Sequence, residues 1–201
     1  MPFDQIGGQE RAITILRHAL RNDRLAHAYL FIGPEGVGKR LTALTLFKAM
    51  NCQSPPEPGD CCEKCPSCVK VNSSNHADFI VVEPEGETIK VDQIRAMQKR
   101  LHFRPMEGGR RACILDSADC LNDAASNALL KTLEEPPQET HLFLITSRPH
   151  KLLPTILSRC QWVKFRPLSP GQIAQILQTA QGLEKEKAHF YASLAGGSVG
   201  Q

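Results

Sequence analysis

The chain has 201 residues, 41% of them hydrophobic, with 24 Lys and Arg against 21 Asp and Glu for a net charge of +3. Such composition supplies an ordinary core and excludes a disordered or collagen-like chain, and a charge this small does not by itself mark a nucleic-acid binder. No apolar run approaches the roughly 18 residues of a membrane span, and Met1-Pro2-Phe3-Asp4-Gln5 has neither the basic flank nor the apolar stretch of a secretory signal. Eight cysteines without an export signal predict reduced thiols in the cytoplasm, serving as metal ligands or core filler.

In chain order, Gln9–Leu20 sets Ile13, Leu16 and Leu20 at helical spacing. Ala28–Ile32 is a short apolar, β-rich run, and after a glycine-rich loop Arg40–Met50 reads as an amphipathic helix. Phe79–Val82 is the second strand, Val91–Leu101 a helix, Arg111–Leu115 the third strand and Asn122–Leu133 a helix. His141–Thr146 and Gln161–Phe165 complete five strands. Strands that are almost wholly apolar and alternate with helices predict an α/β fold whose parallel sheet is covered on both faces.

Pro167-Leu168-Ser169-Pro170 interrupts the alternation, and Gln172–Ala180 and Glu184–Ala195 beyond it are helical. A boundary near 167 divides a domain over 1–167 from the start of a helical one over 168–201. A lone helical pair buries little apolar area, so further C-terminal chain is expected. There is no internal repeat.

Gly33-Pro34-Glu35-Gly36-Val37-Gly38-Lys39 lies between a strand and a helix, the context a phosphate-binding loop requires. The glycines at 33, 36 and 38 let successive amides turn inward, the helix N-terminus adds positive potential, and Lys39 reaches the terminal phosphates. The next position normally carries a Ser or Thr that ligates Mg²⁺. Here it is Arg40, which ligates no cation, and Thr42 is out of register. Asp116 at the end of the third strand supplies one carboxylate of the usual acidic pair, but Ser117 stands where a water-activating Glu belongs. Asp119 is too far along to replace it. These residues predict weak ATP or ADP binding at most, and no hydrolysis.

Asn51-Cys52 is followed by Cys61-Cys62-Glu63-Lys64-Cys65-Pro66-Ser67-Cys68. Cys52, Cys62, Cys65 and Cys68 can close a tetrahedron around structural Zn²⁺, four thiolates leaving no position for water. Cys61 is surplus and is an alternative to Cys62. Cys113 and Cys120 are scattered in the manner of core residues, and His76 reads as a plain loop histidine. Arg95, Lys99, Arg100 and Arg104, followed by Arg110 and Arg111, form a basic stretch that either tracks DNA phosphates or is simply solvated.

Several segments together resemble one family. They are Gln5-Ile6-Gly7-Gly8-Gln9-Glu10, Arg24-Leu25-Ala26-His27-Ala28-Tyr29-Leu30-Phe31, Asn127 through Pro137, and Leu153-Pro154-Thr155-Ile156-Leu157-Ser158-Arg159-Cys160. They are similar to the clamp-loader members of the AAA+ ATPases, subunits of bacterial DNA polymerase III. The resemblance implies a five-stranded P-loop sheet, a three-helix lid and a helical collar, the last not present in residues 1–201. Arg40 and the Asp116-Ser117 pair resemble the delta-prime branch, since gamma/tau subunits carry Thr or Ser and Asp-Glu there. Gly197-Ser198-Val199-Gly200 also lacks the arginine of the gamma/tau Gly-Ser-x-Arg pattern.

The family spacing favours Cys62 over Cys61 as a zinc ligand. By resemblance, Ser158-Arg159-Cys160 carries an arginine finger, with Arg159 acting in trans on ATP held by a neighbouring gamma/tau subunit. Thr146 and Ser147 align with the residue that senses the γ-phosphate. The implied role is that of a stator, partnered by gamma/tau and delta subunits and meeting the sliding clamp and primed DNA through the assembly. A gamma/tau-like ATPase and a purely structural AAA+ module are the competing expectations.

Overall fold

A computed structural model describes residues 1–107 and 109–199. After a short turn at Phe3–Gln5 come α1 (Glu10–Arg21), β1 (Ala28–Ile32), α2 (Lys39–Asn51), α3 (Pro66–Asn72) and β2 (Phe79–Val82). Then follow α4 (Val91–Leu101), β3 (Arg111–Leu115), α5 (Asp123–Glu134), β4 (Thr140–Thr146), α6 (Pro154–Leu157), β5 (Gln161–Lys164), α7 (Pro170–Gln181) and α8 (Lys185–Leu194). The strands form one sheet in the order β2-β3-β4-β1-β5, and every neighbouring pair is parallel.

The central strands are buried along their length and the edge strands β2 and β5 only in part, which is why the central ones read as unbroken apolar runs. Alternate residues point to opposite faces. Leu30, Cys113, Leu142 and Leu144 pack with Ile94, Met97, Leu129 and Leu133 of α4 and α5. Tyr29, Phe31, Ile114 and Phe143 pack with Leu16, Leu46 and Phe47 of α1 and α2. On that second face Phe31 lies 5.7 Å from Phe143 and 5.1 Å from Phe165 between ring centroids, a cluster at the heart of the fold. A fully buried Phe contributes on the order of 1.5–3 kcal/mol relative to exposure.

Three helices differ from the sequence expectation, the short α6 being one that was not foreseen. Pro170 is the first residue of α7 and not part of a break: Ser169 caps it, accepting from Gln172 N, and a proline loses nothing at a first helical position. Helix α3 forms within the cysteine segment, again with a proline, Pro66, at its start. Helices α7 and α8 share a small core of their own around Leu168, Ile173, Ala174, Ala188 and Ala192. Among the described residues, no helix is long and apolar enough to cross a membrane.

The basic stretch does not form one solvated face. Arg111 is buried and ion-paired with buried Asp78 at 3.3 Å, and it donates to the carbonyls of Arg100, Phe103 and Arg104 at 2.7–2.8 Å. Asp78 in turn accepts from the amides of Met106 and Glu107, both at 2.8 Å. This pair ties down the turn before β3, where a buried charge is tolerated because both terminal guanidinium nitrogens and both carboxylate oxygens have partners. Arg110 pairs with Asp23 and Glu139, and Arg95 with Asp92. His76 does lie in the loop between α3 and β2, but it is not a plain solvent-facing residue. It is buried edge-on against Phe47, with Nδ1 accepting from Asp78 N and Nε2 3.2 Å from the Ser67 hydroxyl.

Candidate functional site

The C-terminal ends of β1, β3 and β4 converge with the start of α2, the edge at which open parallel sheets bind ligands. A cleft there is lined by Glu35, Gly36, Lys39, Arg40, Asp116 and Thr146 among others. The loop between β1 and α2 needs its glycines. A side chain at Gly33 would meet the Phe165 carbonyl oxygen at 2.6 Å, and Gly38 has φ of 98°, which only glycine adopts readily. Gly36 stands between them on the cleft wall.

The polar groups of this cleft are paired with one another. Lys39 Nζ donates to the carbonyl of Gly33 at 2.7 Å and to that of Pro34, and burial lowers its pKa. Arg40 pairs with Glu83, the residue after β2, and its Nη1 is 3.1 Å from Asp116 Oδ2, just beyond β3. Ser117 sits in the left-handed region at φ 55° and donates its amide to Asp116. Thr42 donates its hydroxyl to Gly38 O one turn back. Thr146 donates to Asp119 at 2.6 Å, Arg148 grips the same carboxylate, and Ser147 donates to Glu35 at 3.3 Å. The Val199 amide donates to Gly36 O at 3.2 Å, so the segment after α8 lies on the phosphate loop. Gly200, where the gamma/tau pattern has arginine, is outside the described residues.

Glu83 and Arg148 escaped the sequence reading. Both immediately follow a strand of the sheet or its turn, as Asp116 does, and strand ends at the ligand-binding edge are the signal that finds them.

Arg159 lies in the turn between α6 and β5, about one-third exposed, and is not among the residues that line this cleft. Its Nη2 is 2.8 Å from Glu134 and its Nη1 donates to Thr155 O at 2.9 Å. The sequence did not single out Glu134 as its partner.

The four thiols of Cys52, Cys62, Cys65 and Cys68 are brought together, every pair of sulfurs within 4.8 Å. A tetrahedron of Zn–S bonds of about 2.3 Å has edges of roughly 3.8 Å, so the donor set suits Zn²⁺ by size and chemistry. The amides of Lys64 and Cys65 point at Cys62 Sγ, at 3.5 and 3.2 Å, and bring its pKa down to about 6. Burial pushes Cys68 the other way, as expected of a thiol that ionises only against a cation. Cys61 is not among the four. Fully buried, it faces the Glu63 carboxylate at 3.2 Å, and burial raises its pKa to about 12. Glu63 also receives buried Lys48 of α2 and the N-terminal amine, joining the cysteine segment to the sheet domain.

A family model described as DNA polymerase III, delta subunit, matches residues 8–169. The DNA polymerase III subunit delta' of Bacillus subtilis is 42% identical over 166 residues, which cover 82% of this chain and 50% of that protein. The tau subunit of the same organism is 35% identical over 204 residues, covering 98% of this chain and 36% of that one. A DNA polymerase III gamma subunit-related protein of Thermotoga maritima superposes with a TM-score of 0.59 at 26% identity, over 94% of this chain and 58% of its own. The Thermotoga maritima RuvB Holliday junction branch migration motor reaches 0.67 at 19% identity, over 98% and 60%, and shares the AAA+ fold. The chain spans about half the length of the delta' relatives it matches.

Proposed function

The chain belongs to the DNA polymerase III delta-subunit family, and on that premise we propose that it works as the delta-prime stator of a clamp loader. In this reading the chain does not hydrolyse ATP itself. It supplies Arg159 to ATP bound by an adjacent gamma/tau subunit and helps to load the sliding clamp onto primed DNA. Residues 1–167 are its P-loop domain, 168–201 the beginning of its lid, and Cys52, Cys62, Cys65 and Cys68 hold a structural zinc.

The observation that carries the reading is the pairing of Arg40 with Asp116. A hydrolysing site presents a hydroxyl and a carboxylate to Mg²⁺ and a second carboxylate to water. This one presents a guanidinium already bound to the carboxylate, followed by Ser117. Arg159 has what the trans role needs: a permanently charged planar donor, partly exposed, held by Glu134, the Thr155 carbonyl and the Ser158 hydroxyl. Its charge is useful to a neighbour as negative charge builds on the γ-phosphate. The gamma/tau-like reading draws support from the tau relative, whose similarity runs over 98% of the chain.

The deciding experiment is phosphate release by the isolated chain, followed by the same assay on a loader reconstituted with gamma/tau, delta and the full-length protein. The stator reading expects no release from the isolated chain, and a loader whose clamp- and DNA-stimulated ATPase falls with Arg159→Ala. Lys39-dependent turnover by the isolated chain would establish the gamma/tau-like reading instead.

A further inference from the structure

The phosphate-loop site has carboxylates but no hydroxyl ligand for a divalent cation after Lys39, and the structure indicates what stands in the cation's place. Arg40 follows Lys39 in the first turn of α2, and its guanidinium reaches two carboxylates, Glu83 beyond β2 and Asp116 beyond β3. These two strands are neighbours, and the Asp116 amide donates to Val82 O at 2.9 Å, so the carboxylates leave the sheet side by side. Two carboxylates beside a phosphate loop repel each other and attract a hard cation. Arg40 provides the compensating charge from within the chain.

We propose that Arg40 is a tethered substitute for the divalent cation. It binds Asp116 and Glu83 to the phosphate-loop helix and keeps Mg²⁺ and similar ions out of the site. The other charges facing the cleft leave this arrangement intact. Lys39 is turned into the loop by the Gly33 and Pro34 carbonyls, Asp119 is held by Arg148 and Thr146, and Glu35 accepts from Ser147. None of them competes for Asp116 or Glu83. The consequence is specific: Asp116 and Glu83 already share a cationic partner without a metal, and removing the guanidinium leaves two neighbouring carboxylates free to take a cation. The inference rests on reading the loop as a nucleotide site that has lost its metal, and is independent of the trans role of Arg159.

Mn²⁺ titrated into the zinc-loaded chain and followed by electron paramagnetic resonance tests this, because bound Mn²⁺ loses its sharp signal and competes poorly for thiolates. The wild-type chain is expected to leave Mn²⁺ free. Arg40→Thr is expected to bind one ion at least about tenfold more tightly, and adding Asp116→Asn to abolish that gain. Mg²⁺ should raise the thermal midpoint of Arg40→Thr and leave that of the wild type unchanged. Mn²⁺ binding by the wild type that Asp116→Asn removes would overturn the proposal. So would an Arg40→Thr chain with no gain, or a gain that survives Asp116→Asn. Should circular dichroism show Arg40→Thr unfolded, Arg40→Gln makes the same comparison. The wild-type titration also stands alone as a test. A stator that passes the Arg159 assay yet binds Mn²⁺ at Asp116 would lose this proposal and keep its function.

Discussion

Asp119 holds the hydroxyl of Thr146: the bond is 2.6 Å long, the carboxylate is buried, and its other oxygen is met by Arg148 Nε at 2.8 Å and Nη2 at 2.7 Å. Thr146 ends β4 in the position that resemblance assigns to γ-phosphate sensing. Here its hydroxyl is committed to a neighbouring carboxylate, in keeping with a cleft whose other polar groups are also internally paired.

Asp119 should therefore matter for stability. Asp119→Ala leaves the buried Thr146 hydroxyl without its acceptor and is expected to cost about 1–3 kcal/mol in denaturant unfolding. Burial opposes ionisation of Asp119, but the Thr146 and Arg148 hydrogen bonds outweigh it and hold the pKa below the ordinary 3.8. A pKa lower in the folded chain means stability that is fully present above the unfolded value and lost as pH falls through the folded one. The difference between wild type and Asp119→Asn should be constant above about pH 6 and narrow only in strong acid. A difference that changes between pH 6 and 8 would contradict this pairing.

The buried Asp78–Arg111 pair should be among the most sensitive positions in the chain. Arg111→Ala strands the Asp78 carboxylate and frees three carbonyls, an expected loss of about 3–5 kcal/mol, a large share of a typical domain's stability. Arg104→Ala, whose side chain makes no ion pair among the described residues, is the control and should lie within about 0.5 kcal/mol of wild type. Chemical denaturation of both variants checks the contrast.

Elemental analysis should find close to one zinc per chain, and Cys65→Ser should release it. Because Glu63 of the cysteine segment engages Lys48 and the N-terminal amine, metal loss should also loosen the N-terminus, while the sheet, with its separate cores, stays folded. Limited proteolysis should then cut within 52–68 and near the N-terminus before anywhere in β1, β3 or β4. Cys61→Ser should keep the zinc, since that thiol faces Glu63. Freshly prepared protein free of zinc, or loss of zinc with Cys61→Ser, would refute the assignment.

In the isolated chain Arg159→Ala should do little, because a partly exposed ion pair with Glu134 is worth about 0–1 kcal/mol. In the reconstituted loader the same change should act on the rate, by as much as about 10³–10⁵ at the site served, and Arg159→Lys should rescue poorly because a point charge lacks the planar fork. A large fall in the thermal midpoint of the isolated chain, with unchanged loader ATPase, would reduce Arg159 to a structural residue.

How much of this was legible in the sequence follows from the range of the interactions. Ala28–Ile32 and Arg111–Leu115 can be read with their observed bounds because parallel strands buried on both faces are largely apolar runs ended by turn residues, and the partly exposed edge strand Phe79–Val82 because all four of its residues are apolar. The phosphate loop and the four cysteines are also legible, since each is a fixed spacing of residue types along the chain. Helix α3 was written there too, in the proline after Cys65 with Cys68 and Val71 following, but the cysteines dominated that stretch. Other features depended on which residues meet. Arg40 reaches Glu83 and Asp116 across 43 and 76 positions, Arg148 reaches back 29 to Asp119, and Arg111 is buried by Asp78, 33 residues earlier. By residue type Cys61 was an alternative to Cys62, with only the family resemblance favouring Cys62; backbone direction sends one thiol to the cluster and the other to Glu63. Periodicity and spacing are local properties that the chain carries by itself. The partner of a charge or the orientation of a thiol exists only once the sheet order β2-β3-β4-β1-β5 has placed distant strand ends side by side.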